Sequence, residues 1–308
     1  MTTLLPDDSR HSRPGPWFYD DDRPGIRARI VADSINPAGD RLTTLEVTFN
    51  RYILAELNTH RMLSRNSASS RAIPIGRVIR QVWSNPAVPI HWGANKRGMQ
   101  AADELSGFRL WLARRLFLLA RIPMIVIAWI LSKVGLHKQV TNRLLEPWVW
   151  HTAVVSMTER ENFFKLRDHP AAQPEFRSLA VCMRKAITYS VPRRLKWGEW
   201  HTPYVGADEV IEHADPLMMS VARCAAVSYN RQNDRKSGEL AERLASAGHW
   251  SPFEHVALAV SGLGYCGNFR GWKQLRKFYP EESGRIEPAV CTCGGAGDLY
   301  DCEAHPNG

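Results

Sequence analysis

Between Leu57 and Ala102 the sequence contains no aspartate or glutamate. The same span carries Arg61, Arg65, Arg71, Arg77, Arg80, Lys96 and Arg97, a density of positive charge that a solvated helix face does not need. Charge of one sign over such a length favours an anionic partner. Also missing is an unbroken apolar run. The longest, Leu116 to Leu131, is interrupted by Arg121 and Pro123 and falls short of the roughly 20 residues that a bilayer span needs. We therefore expect a buried or interface helix there, and no membrane partner. No secretory signal is read in Met1-Thr2-Thr3-Leu4-Leu5 and the acids and prolines that follow. With six cysteines, that points to reduced thiols in a cytoplasm.

What is present is the composition of a folded protein. The 308 residues are 44% hydrophobic and include 11 tryptophans, enough for one large domain or two intimately joined ones. A net charge of +9 suits a partner carrying phosphate, whether nucleic acid, nucleotide or phosphorylated cofactor. The densest cluster of donors is Thr59-His60-Arg61-Met62-Leu63-Ser64-Arg65-Asn66-Ser67-Ala68-Ser69-Ser70-Arg71, with three arginines and four serines. Arginine forks and hydroxyls bind phosphate and the polar edge of a base or ring. Composition alone leaves open a serine-rich loop with incidental arginines.

Along the chain, residues 1–24 are polar and proline-rich and read as a loosely ordered arm. Ile26 to Ile35 and Leu42 to Phe49 read as strands around the turn signal Asn36-Pro37-Ala38-Gly39. Tyr52 to Leu63 has helical spacing, so the arginine-serine stretch is expected to begin on a helix and leave it as a loop. Arg77 to Trp83 reads as a short helix. Two longer helices follow, from Met99 to Ala120 and from Pro123 to Gly135. Lys138 to Leu166 is helical in pattern with a break near Pro147. Helices are also expected over Glu175 to Tyr189, Asp215 to Val227 and Ser237 to Ala247, and a strand over Val256 to Val260. Cys182, Cys224 and Cys266 lie on apolar segments and are expected to pack as small hydrophobes. Cys291, Cys293, Cys302 and His305, in the cysteine- and glycine-rich tail 288–308, are a weak zinc candidate because their spacing is not that of a standard knuckle.

The central stretch resembles the signature of the flavin-dependent thymidylate synthases, Arg-His-Arg-x-x-Ser-x-Asn-Glu-x-Ser-x-Arg. His60, Arg61, Ser64, Asn66, Ser69 and Arg71 fall in register, while Thr59 and Ser67 replace the first arginine and the glutamate. Asn162 to Arg167 and Ala172 to Arg177 resemble the family's later helical block, and Arg143 with Pro147 its Arg-x-x-x-Pro segment. His249-Trp-Ser-Pro-Phe-Glu-His255 is similar to the family's His-x-Ser/Thr-Pro-Phe-Glu-His. In the family that element precedes the arginine signature; here it follows, so the chain looks like a permutation or partial duplication. Asn268 to Arg276 stands where a second, degenerate arginine motif would.

The resemblance implies an α+β fold, a central antiparallel sheet with flanking helices, in a catalytic domain over 25–287 with two related halves and a helical insertion at about 85–135. It implies FAD, with NADPH and methylenetetrahydrofolate as co-substrates, converting dUMP to dTMP, and a homo-oligomer, dimer or tetramer. His60, Arg61, Ser64, Asn66, Asn162, His249 and Ser251 would hold the cofactor. Ser69, Arg71, Arg143 and Arg167 would hold dUMP, and Arg167 would stabilise charge on the pyrimidine. Arg276 is a candidate to replace the arginine lost at Thr59. The departures at Thr59 and Ser67 admit a related flavin enzyme modifying C5 of another pyrimidine nucleotide. A non-catalytic nucleic-acid-binding protein using Leu57 to Ala102 is the competing reading, though it would not require Asn162 to Arg167 or His249 to His255.

Overall fold

Alternation of side chains across a pleated strand accounts for the centre of the molecule. In the computed structural model, which describes residues 14–20, 23–98, 103–206, 209–211, 215–228 and 234–283, β3 (Arg41–Asn50) sends Leu45, Val47 and Phe49 into the largest core. Its other face carries Thr44, Glu46 and Thr48. β3 pairs antiparallel with β2 (Arg23–Ile35) on one side and β5 (Trp150–Met157) on the other. β1 (Phe18–Asp20) and β4 (Ser64–Ser67) complete the order β1-β2-β3-β5-β4, and the short β6 (Arg193–Arg194) adds parallel to β2. The fold is a mixture of helices and mainly antiparallel sheet.

The apolar face of the sheet is covered by α6 (Pro174–Thr188), which buries Phe176, Leu179, Cys182 and Met183. Pro174 stands in the first turn, and the Gln173 side chain accepts from the Phe176 amide, closing the helix start. The short α1 (Leu54–Asn58) and α5 (Glu161–Arg167) contribute Leu57 and Phe163 to the same core. The opposite face is packed by α7 (Pro216–Ala225) and by a second sheet of β7 (Trp200–His201), β8 (Ala257–Ala259) and β11 (Trp272–Gln274), with α8 (Asp234–Ser246) packed in turn on α7. A small hairpin of β9 (Tyr265–Cys266) and β10 (Phe269–Arg270) precedes β11. On the flank, α2 (Ile75–Ser84), α3 (Gly107–Lys133) and the 3-10 segment Asn142–Trp148 enclose a separate core around Val78, Val82, Ile125, Ala128, Leu145 and Trp148. α4 (Lys138–Thr141) leads into that segment.

Several expectations change. Trp150–Met157 is a strand, not part of a helix: both of its faces are buried, which erases the period-two signal. The helix expected to Leu63 stops at Asn58, and Ser64–Ser67 is an edge strand rather than a loop. Pro123 does not divide two helices. It sits exposed within the single helix α3, whose packed side holds on both sides of it through Phe117, Arg121, Ile125 and Ala128. That packing offsets a proline cost of about 3 kcal/mol. The helix is also not buried, for most of its residues face outward. Residues 14–20 are not a loose arm: Phe18 and Tyr19 pair with β2, and Arg27 and Arg29 stack on the Trp17 ring at 4.2 and 4.4 Å. Cys182 and Cys224 are buried as expected, whereas Cys266 is half-buried on the hairpin. Cys291, Cys293, Cys302 and His305 lie outside the described residues, and among those described no group of three or more metal-ligating side chains occurs.

Candidate active site

β4 is the hinge of the site. Its neighbour β5 fixes its register, Ser64 opposite Ser156 and Asn66 opposite Val154. Alternation then separates its side chains. Ser64 and Asn66 turn towards the C-terminal part of the chain, and Arg65 turns back towards the helix end it came from. The buried Ser64 hydroxyl donates to Asn268 Oδ1 (3.0 Å) and accepts from Gln274 Nε2 (3.1 Å). The Asn66 amide donates to the Cys224 carbonyl (2.8 Å), and its Oδ1 accepts from the Ser251 hydroxyl at 3.0 Å. Arg65 Nη1 donates to the carbonyls of Leu57 and His60. The arginine signature and the histidine motif are thus joined directly, across a separation of 185 residues.

At one end of β4 lies His60. Arg167 Nε donates to its Nε2 at 2.8 Å, so the imidazole is neutral with its proton on Nδ1. Burial first, then the positive Arg167 and Arg65, lower the His60 pKa to about 4. Phe163 and Phe176 hold the ring edge-on at 5.0 and 5.6 Å, and the Arg167 guanidinium lies 4.6 Å over Phe176. Of the Arg167 nitrogens, only Nε has a protein hydrogen bond among the described residues. Arg61 and Asn162 are exposed nearby in sequence, and His249 is exposed two residues from Ser251.

At the other end the chain turns through Ser69–Ile73. Asn142 Nδ2 ties this turn down by donating to the carbonyls of Ser70 (2.6 Å) and Ile73 (2.9 Å), and Lys138 Nζ donates to the Ala72 carbonyl (3.1 Å). Arg143 follows Asn142 directly. It is exposed, with its Nε donating to the Gln139 carbonyl at 3.2 Å, and Arg71 is exposed on the turn itself. Arg71 is thus on the clamped turn, Lys138 reaches it, and Arg143 adjoins the asparagine that clamps it. Glu146, the nearest carboxylate along the segment after Arg143, faces Arg51 instead (3.5 Å).

Ser64, Asn66 and the exposed Ser251 also hydrogen-bond within the protein, and these bonds hold β4 to the C-terminal part of the chain. Arg276 is held by both Glu254 and Glu282 and does not stand in for the arginine absent at Thr59. Sequence reading missed Asn142 and Lys138, and it marked Asn268 and Gln274 only as members of the degenerate motif Asn268 to Arg276. It also missed a buried polar chain behind β4, in which Ser34, His201, Thr44, Ser156 and His255 are linked by contacts of 2.6–2.8 Å. Burial holds both histidines neutral, with pKa values lowered to about 3, and for His201 the neighbouring His255 adds to this. His255 Nε2 is buried with no hydrogen-bond partner among the described residues. Only its place in the His249–His255 motif pointed to it.

No known protein family matches the chain by sequence profile, and no curated protein matches it. Among solved structures it resembles a UMP/dUMP methylase, PolB from Streptomyces cacaoi. The PolB structure with 5-Br UMP shares 16% identity at a TM-score of 0.42, covering 53% of this chain and 88% of that one. The structure with 5-Br dUMP gives 16% and 0.34, covering 48% and 67%. Superposition at this level leaves the reading of the site to this chain's own residues.

Proposed function

We propose that this protein is a flavin-dependent enzyme modifying C5 of a pyrimidine nucleotide, and that its reaction is the reductive methylation of dUMP to dTMP. The observation that carries the reading is the Ser251–Asn66 hydrogen bond. It brings together two motifs that resemble parts of one site in the flavin-dependent thymidylate synthases and that lie far apart in this sequence.

The nucleotide phosphate suits the turn Ser69–Ile73, where Arg71, Arg143 and Lys138 supply positive charge and Ser69 a hydroxyl. Arg167 then meets the pyrimidine edge with its two terminal nitrogens, and its fixed charge favours the base ionised at N3, which makes C5 nucleophilic. His60 positions Arg167 from behind. Because the imidazole stays neutral at physiological pH, it accepts the Nε hydrogen bond without adding a competing charge. FAD fits the remaining donors in kind: Arg61, Asn162 and His249 are exposed around the same strand, with chemistry suited to a pyrophosphate and a polar ring edge. When bound and reduced by NADPH, it would supply the hydride, and methylenetetrahydrofolate the carbon. Ser69 binds on this reading and does not attack, since the hydride comes from the flavin and the sequence sets no base beside it.

The test is direct. Purified protein should bind FAD and turn yellow, NADPH should bleach it, and dUMP should perturb its spectrum. Tritium release from C5 of labelled dUMP, with the product's mass, identifies the reaction. A protein that neither carries nor takes up FAD sinks the proposal. Tritium release with a product mass other than that of dTMP would select another C5 modification, the reading that the departures at Thr59 and Ser67 admit.

A further inference from the structure

Helix α3 is apolar on two opposite sides, and the fold covers only one. Its packed stripe runs through Phe117, Arg121, Met124, Ile125 and Ala128 onto α2 and the segment Asn142–Trp148. The opposite stripe is exposed: Phe108 (70%), Trp111, Leu119 (58%), Val126, Trp129 (53%) and Ile130 recur at helical spacing. Such a concentration on one element exceeds what a soluble monomer ordinarily leaves to water. The helix contains no acidic residue. Its charges are sorted by position. Arg121, at mid-helix, turns inward and donates to the Val82 carbonyl at 3.0 Å, leaving the middle of the outer face aliphatic. Arg115 and Lys133 flank that middle, each beside an indole of the same face, Trp111 (5.9 Å) and Trp129 (5.7 Å).

We infer that the outer face of α3 docks on the surface of an anionic lipid bilayer, departing from the sequence expectation of no membrane partner. An aliphatic centre with aromatic and cationic ends matches the layers of a membrane interface, where acyl chains give way to headgroups and phosphate. The 27 residues span about 40 Å, so the helix is long enough to cross. Crossing would nevertheless strip its inner stripe from the core and break the Trp148 Nε1 hydrogen bond to the Phe117 carbonyl (3.1 Å). It therefore lies in the plane of the interface. A second copy is the poorer occupant. An antiparallel pair would set Arg115 of one helix near Lys133 of the other, with no carboxylate on either helix to neutralise them. The acids just before the helix are engaged, Asp103 by Lys96 and Glu104 by the Trp92 amide.

The full chain should float with phosphatidylcholine vesicles containing phosphatidylglycerol and much less with phosphatidylcholine alone. Val126→Asp with Ile130→Asp, both on exposed positions, should abolish flotation while leaving the thermal midpoint unchanged. Arg115→Glu should weaken it roughly fivefold or more, with added salt erasing the difference. Failure of the wild-type chain to float with anionic vesicles overturns the inference. So does flotation that survives the double aspartate variant, which would reduce the effect to general basic charge. A concentration-dependent dimer that the same variant dissolves, without vesicle binding, would assign the face to a contact between copies and overturn it equally.

Discussion

At His60 an imidazole, two guanidiniums and two phenyl rings converge, and the arrangement makes the histidine an acceptor instead of a cation. Replacing Arg167 by alanine should raise the His60 pKa from about 4 only part of the way to its ordinary value, because burial is the larger cause. A histidine titration followed by NMR reads this independently of catalysis. On our reading Arg167→Lys should cost roughly a hundredfold or more in kcat, since a point charge replaces a fork that must bond His60 and the base together. A kcat within a few-fold of wild type would remove Arg167 from the reaction. Arg71 acts on binding. Arg71→Ala should raise the Kd for dUMP by roughly tenfold or more, the scale of one hydrogen bond to a charged group, measurable by titration calorimetry. Arg167, Arg143 and Arg71 were legible as site candidates through motif resemblance. Asn142, which clamps the turn bearing Arg71, was not, because its role depends on two carbonyls that only the fold brings to it.

At the scale of elements, β4 shows where sequence reading stops. Ser-Arg-Asn-Ser has little strand propensity of its own, and it becomes a strand because β5 offers it an edge. β5 was misread in turn, since burial on both faces leaves no alternation to detect. β2 and β3 were legible, because one face of each meets the apolar core and the turn between them carries proline and glycine. Asn66→Ala would leave the Cys224 carbonyl and the Ser251 hydroxyl without their partner. It should cost on the order of 1–3 kcal/mol and loosen the link between the two motifs. Urea unfolding measures the loss. The same variant should reduce flavin affinity although Asn66 itself faces the protein; unchanged affinity would confine its role to stability. Gly271 gives a second element-scale constraint. Its φ of +74° and the approach of Asp40 and Asn36, within 2.4 and 2.6 Å of an added Cβ, leave no room for alanine beside β11.

For the whole molecule, the buried histidines set an acid limit. His201 and His255 remain neutral in the fold down to about pH 3 but take up protons near pH 6.5 once the chain unfolds. The unfolded state therefore binds more protons in that window. Their contribution to stability is complete above about pH 6.5 and is lost as the pH falls towards 3, at up to about 1.4 kcal/mol per pH unit for each histidine. The thermal midpoint should fall steadily through this range; one that stays level between about pH 6.5 and 4 would contradict the neutral assignment. Apart from His255, which the His249–His255 motif marks, this network was not visible in sequence, because Ser34, Thr44, Ser156, His201 and His255 come from five separate segments.

The hydrogen bonds of Ser64 have a consequence for how the protein is made. Ser64 pairs with β5, then with Asn268 and Gln274, which lie 204 and 210 residues further along. Contacts that distant form late and slow folding, because the intervening chain must be ordered first. During synthesis the arginine-rich stretch leaves the ribosome early and waits, its strand partner and its buried hydrogen-bond partners not yet translated. The site is finished only when Asn268 and Gln274 arrive, so a product cut short before Asn268 would carry nearly every candidate ligand-binding side chain and still lack the support that sets them in place.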